Sequence, residues 1–297
     1  MRGTLRSIRE LLKETARTWN RDGAPRMGAA VAFYATLSAI PLAILTLRVV
    51  GLIFSERAAR DQVFNSLQNV VGPEAASTMQ DLILTAAQSG PAVGTTIIGV
   101  LILAVAASNL FSQIRSSLNT MWEFTTPRSG LGGFLAGRAV SLLLTFGVGL
   151  LLLVLFALSG VLSAAVEVVA PRLPLGESSL LRAADALITF AGVFLLVGAI
   201  YKILPRGNLP WGVIGVGASV TAVLFLIGKV VLGLYLGFAP IDSVYGAAGS
   251  LLVVLIWFFY IAQVFYFGVA FTKVYERRRR ERAGESRQQG SEVTRAG

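Results

Sequence analysis

The sequence predicts an all-α fold, a polytopic membrane protein of six transmembrane helices with amphipathic helices at its N-terminus and in its first outer loop. Three observations carry this expectation. Only 14% of the 297 residues are charged, against roughly 25% in soluble domains, while 55% are hydrophobic and the mean hydropathy is +0.70. The apolar residues fall in long continuous runs, not in the alternating pattern of barrel strands. The chain has neither cysteine nor histidine, which removes disulfides, thiol and Ser-His-Asp catalysis, cysteine zinc sites and His-rich metal centres. No cofactor, metal or catalytic residue is therefore expected, and the chain does not read as an enzyme.

A bilayer core about 30 Å thick needs roughly 20 mostly apolar helical residues. Six runs qualify: residues 28–54, 92–112, 139–165, 181–204, 212–238 and 244–273. The first is too long for the apolar core of a cleavable signal peptide and is expected to stay as an anchor. The chain thus divides into a cytoplasmic amphipathic helix (1–27), a transmembrane domain (28–273) and a basic, disordered cytoplasmic tail (274–297). In the first segment Leu5, Ile8, Leu12 and Trp19 repeat at helical spacing among Arg6, Arg9, Lys13 and Arg17. That pattern fits a helix lying in the inner interface, or one packed on the protein's own cytoplasmic loops. In the outer loop 55–91, Val63, Leu67 and Val70 form one helical stripe. Ala75, Met79, Leu82 and Ala86 form another, with Gly72-Pro73 as the break. Pro205, Gly207 and Pro210 compel a tight turn between the fourth and fifth spans.

Six spans place both termini on one side, and the basic residues choose the side. Seven of the 26 Lys and Arg precede residue 28 and eight lie from Lys273 onward. Arg115, Arg128, Arg138, Lys202 and Arg206 occupy the loops on that same side, which the positive-inside rule makes cytoplasmic. The net charge of +10 then needs no nucleic-acid partner. The expected partners are membrane lipids, with Arg277–Arg280 reaching anionic inner-leaflet head groups or serving as a plain stop-transfer flank. A homo-oligomer or an envelope partner protein stays open.

Polar groups inside spans are where function is sought. Lys229 lies nine residues from the outer end of the fifth span, about 13.5 Å deep, with Asp185, Asp242 and tyrosine hydroxyls as candidate partners. In the first span Tyr34, Ser38, Pro41 and Arg48 share an arc of about 80°, and Pro41 is expected to kink the helix. Asn109, Ser112, Gln113, Ser116 and Thr120 form a polar stripe that lines an inner vestibule or bonds to neighbouring helices. Gly233 and Gly237 make a Gly-x-x-x-Gly pair, and Asp242 and Tyr245 bracket a small-residue entry to the sixth span. The expected substrate pathway is therefore Lys229, Arg48, Tyr34, Ser38, Asn109, Gln113, Asp242 and Tyr245.

Several segments resemble the YihY / virulence factor BrkB family. The stretch from Ala32 through Phe33, Tyr34, Ser38 and Pro41 to Leu42 is similar to its first-span signature. Leu118-Asn119-Thr120-Met121-Trp122 resembles its Leu-Asn-x-x-Trp segment, and Tyr201 to Pro205 its Tyr-x-x-Leu-Pro turn. Lys229, Tyr235-Leu236, Tyr245-Gly246, Trp257 and Tyr260 match its last two spans, and the likeness runs from about Arg17 to Tyr275. Where the family often has Gly-Ala-Glu, this chain has Gly268-Val269-Ala270, so a mechanism that requires that glutamate does not carry over. The resemblance implies a six-span bacterial inner-membrane protein connected with the cell envelope. The family's former ribonuclease BN label is disfavoured, because paired carboxylates at metal-binding spacing and an RNA-presenting domain are missing. The leading expectation is a transporter or flippase-like protein for an anionic or amphipathic envelope component such as a lipid. The alternative is a non-transporting envelope scaffold or assembly factor.

Overall fold

The computed structural model describes residues 2–51, 93–124, 177–238 and 247–296, with Phe64, Ala76, Ser77 and Gln80 from the intervening stretch. Within them the chain is helical and contains no strand. The helices are α1 (Arg2–Arg21), α2 (Ala24–Gly51), α3 (Val93–Met121), α4 (Glu177–Ile203), α5 (Trp211–Phe238) and α6 (Ala247–Ala296). Among the described residues, Ala183–Ile203, Trp211–Tyr235 and Leu251–Glu281 are long and apolar enough to cross a membrane. Helices α2 and α3, of 28 and 29 residues, coincide with the first two expected spans. The third expected span and most of the outer loop lie outside the described residues.

Each helix end has a local cause. Helix α1 stops at Asp22-Gly23, where Gly23 takes a φ of 73° that a side chain would resist. The chain restarts at once, with the Met27 amide donating to the Gly23 carbonyl and Pro25 in the first turn, where its missing N–H costs nothing. Helix α3 ends as Phe124 N–H donates to the Asn119 carbonyl and Glu123 adopts a φ of 59°. Pro205 follows the last turn of α4, and the Pro210 carbonyl accepts from Val213 and Ile214 to start α5.

Helix α6 is the hub. It packs on α1, α2, α3 and α5, while α2 lies against α3 and α4 against α5. The helices thus follow one another in the order α3, α2, α6, α5, α4, with α1 laid over α6 and α2. At one end, where the α1–α2 turn, the end of α3 and the α4–α5 turn gather, the row closes. Leu118, Met121 and Trp122 of α3 and its end join Tyr201 and Leu204 of the α4 end, and Tyr266 and Val269 of α6, in one buried cluster. We call this the turn end. Toward the far end a second cluster forms from Phe225, Leu232, Val253, Val254 and Trp257, with Ala76 against it. The outer surfaces of α4 and α5 remain apolar yet uncovered, with Leu187 66% and Val230 62% exposed. Apolar exposure on this scale marks a surface meant for a non-aqueous neighbour.

One expectation is corrected. The segment 274–296 is helical, not disordered, and α6 continues through it without a break. Its Glu, Arg, Gln and Ala residues are good helix formers, and the span supplies a ready nucleus on which to extend. Helix α1 forms as expected, and Trp19 of its apolar stripe packs against the core cluster. Leu12 is exposed, whereas Thr15 and Thr18 are buried. Glu14 pairs with Arg277 and Arg278 of α6, and this contact turns that face inward.

Candidate functional site

At the far end, α5 offers Phe225, Gly228 and Leu232 to the core, and Lys229 lies at the edge of that face. Its ammonium donates to Asp185 Oδ2 of α4 at 3.1 Å. The pair is lopsided, with the Lys229 side chain 16% exposed and that of Asp185 44%. Inside a membrane an unpartnered ammonium is costly, and the carboxylate offsets part of that cost. Asp185 lies four residues into the apolar run 181–204, and Lys229 lies nine residues from the end of α5 at Phe238, roughly 6 Å and 13.5 Å along the helices. One turn away, Gly228 lets the Tyr260 ring approach the α5 backbone, and Tyr260 Oη donates to the Leu224 carbonyl at 3.1 Å.

Of the expected pathway residues, the structure brings Lys229 together with the predicted partner Asp185. Asp242 and Tyr245 lie outside the described residues, as do the side chains of Arg48 and Pro41. The α2 backbone is helical through both latter positions. Tyr34 packs edge-on against the exposed Phe33, and Ser38 is buried, its hydroxyl donating to the Ala35 carbonyl at 3.0 Å. Asn109 and Gln113 are half-buried on α3, and Gln113 Nε2 donates to Ser117 Oγ at 3.3 Å. The rest of that stripe, Ser112, Ser116 and Thr120, is exposed, while α3 turns Ile114, Ser117, Leu118 and Met121 to the core.

Close helix approach falls on glycines beyond Gly233 and Gly237, and what faces Gly237 lies outside the described residues. Gly233 has open space where a Cβ would stand, whereas Gly217 faces Thr272, Gly228 faces Tyr260, and Gly268 faces Thr221 and Tyr201. These three bring α5 and α6 together, and hydroxyl side chains fill the gaps.

The polar groups at the turn end were mostly missed by sequence reasoning. Tyr201 Oη donates to the Phe265 carbonyl at 2.8 Å and lies 3.3 Å from Thr221 Oγ1. Asn119 Oδ1 accepts the Arg206 amide at 2.9 Å, stitching the end of α3 to the α4–α5 turn. Lys273 of α6 donates to Asp22 at 2.9 Å and to Glu123 at 2.8 Å, so one ammonium joins three helix ends. That hydrogen bond, with the Lys273 charge behind it, holds the Glu123 carboxyl below its usual range. Part of this was signalled. Asn119, Trp122, Tyr201 and Pro205 belong to the short motifs that carry the family resemblance, and all four meet here. The ion pairs had no such signal, because their partners lie far apart in the chain.

Residues 15–292 match the family described as virulence factor BrkB. A UPF0761 membrane protein of Azotobacter vinelandii is 27% identical over 241 residues, covering 80% of this chain and 56% of the relative. One from Pseudomonas paraeruginosa is 25% identical over 262 residues, covering 87% and 61%. One from Rhodospirillum centenum is 27% identical over 265 residues, covering 86% and 55%. The chain thus spans somewhat over half the length of these relatives. No solved structure matches it. With a family match across most of its length, apolar helices around a common hub and membrane proteins as its relatives, the chain belongs to the virulence factor BrkB family of membrane proteins.

Proposed function

We propose that this chain is a non-enzymatic transporter or flippase-like protein of the bacterial inner membrane, moving an anionic or amphipathic envelope component such as a lipid. In this reading it has six spans, and the turn end faces the cytoplasm with both termini. The gathering of Arg21, Arg115, Lys202, Arg206 and Lys273 toward the turn end supports that orientation. Single cysteines at Ser243 and Asn208 in this cysteine-free chain should label from opposite sides of the membrane. Labelling of both from outside overturns the orientation. Asn208 is the better inner position, because a Cβ on Gly207 would collide with Phe124.

The observation that carries the transport reading is the Lys229–Asp185 pair, a charged contact between two apolar helices with one member half open. A pair of that kind can exchange partners with a passing head group and close again behind it. The test is a leaflet-resolved lipid assay in vesicles with wild type and Lys229→Met. Loss of lipid movement with the fold retained is expected, and unchanged movement overturns the reading. A non-transporting scaffold draws on the same pair, since a satisfied salt bridge also serves as a plain α4–α5 tie. In that case neither wild type nor variant moves lipid.

A further inference from the structure

A purely anionic head group that engages Lys229 brings a second negative charge beside the Asp185 carboxylate. That like-charge juxtaposition works against binding. A zwitterionic head group avoids the conflict. Its phosphate takes the place of the Asp185 carboxylate on Lys229, and its ammonium takes the place of Lys229 on Asp185, so every charge stays paired. The placement suits such an exchange. Asp185 is 44% exposed, and it lies four residues into the apolar run 181–204, roughly 6 Å along the helix. Beside it, Leu187 of α4 and Val230, Val231 and Leu234 of α5 are uncovered, an apolar flank for acyl chains. We infer that the Lys229–Asp185 pair is a head-group site for a zwitterionic phospholipid, with Lys229 receiving the phosphate and Asp185 the ammonium. The inference deepens the transport reading and rests on it.

The test uses the full chain in vesicles of phosphatidylcholine and phosphatidylglycerol, with acyl-labelled phosphatidylethanolamine or phosphatidylglycerol as the reporter. Wild type should move the ethanolamine lipid faster than the glycerol lipid. Asp185→Asn should shift that ratio toward the anionic lipid by about fivefold, the scale of one half-exposed charge contact. Asp185→Glu should keep the wild-type preference. Equal wild-type rates, or an unchanged ratio in a folded Asp185→Asn variant, overturn the head-group inference and leave transport standing. If wild type moves neither lipid, both fall. Should Asp185→Asn fail to fold, the wild-type ratio and Asp185→Glu decide the matter.

Discussion

Two lysines define the two ends of the bundle, and they are held differently. Lys273 reaches carboxylates 251 and 150 residues away in sequence, in a setting where both it and Asp22 are largely covered. Around it Tyr201, Thr221 and Phe265 are hydrogen-bonded, and Trp122, Tyr201 and Phe265 meet edge to face. Lys229 has a carboxylate from the neighbouring helix, and that carboxylate is nearly half open. The same chemical contact thus does two jobs. Where both partners are covered and several chain segments converge, an ion pair fixes architecture. Where one partner is open and two helices meet, it can be exchanged.

That contrast orders the expected effects. The largest belongs to Gly268→Leu, because even a Cβ at that position meets Thr221 and Tyr201 in the middle of the turn-end core. Overpacking of about 3 kcal/mol or more is expected, read as loss of folded, monodisperse protein in detergent. Normal yield and melting temperature would mean that this core is loose. Next comes Lys273→Met, which removes the ammonium shared by Asp22 and Glu123 and leaves Asp22 the exposed Arg21 as its partner; it should cost about 2 kcal/mol, measured by denaturant titration. Lys229→Met should cost less than about 1 kcal/mol, since Asp185 is nearly half exposed, and under the proposed function it should also abolish lipid movement. If Lys229→Met destabilises as much as Lys273→Met, the distinction between the ends collapses. The smallest effect is on pH. The Glu123 carboxyl is held low by Lys273, so its contribution is present above the ordinary carboxylate pKa and fades as pH falls through the lower folded value. Glu123→Gln should flatten the acid limb of a stability-versus-pH curve without moving its neutral plateau.

Much of the helical plan was legible because apolar run length is a strong local signal. It located α2, α4 and α5 within a few residues, and Pro205 and Pro210 marked the α4–α5 turn. Asp185 could be named as a partner of Lys229 because acids near the spans are few. What sequence could not supply was the rotation of one helix against another. Helix α1 turns threonines and Glu14 inward because Arg277 and Arg278 wait on α6, a relation between residues at opposite ends of the chain. The glycine spacing picked Gly233 and Gly237, yet close approach depends on what stands opposite, and only the fold places Tyr260 and Thr272 over Gly228 and Gly217. The tail was misread because a polar, Gly- and Gln-containing composition resembles a loop until a finished helix is placed ahead of it.

The length of α6 has a mechanical consequence. Its 50 residues make a rod about 75 Å long, of which roughly 35 Å extends past Lys273. A tilt of about 10° at that lysine would sweep the far tip by about 6 Å, a displacement larger than one helical turn's rise. With α1 clasped to its side through Glu14, the extension would enlarge at its tip any small reorientation of the helix at Lys273.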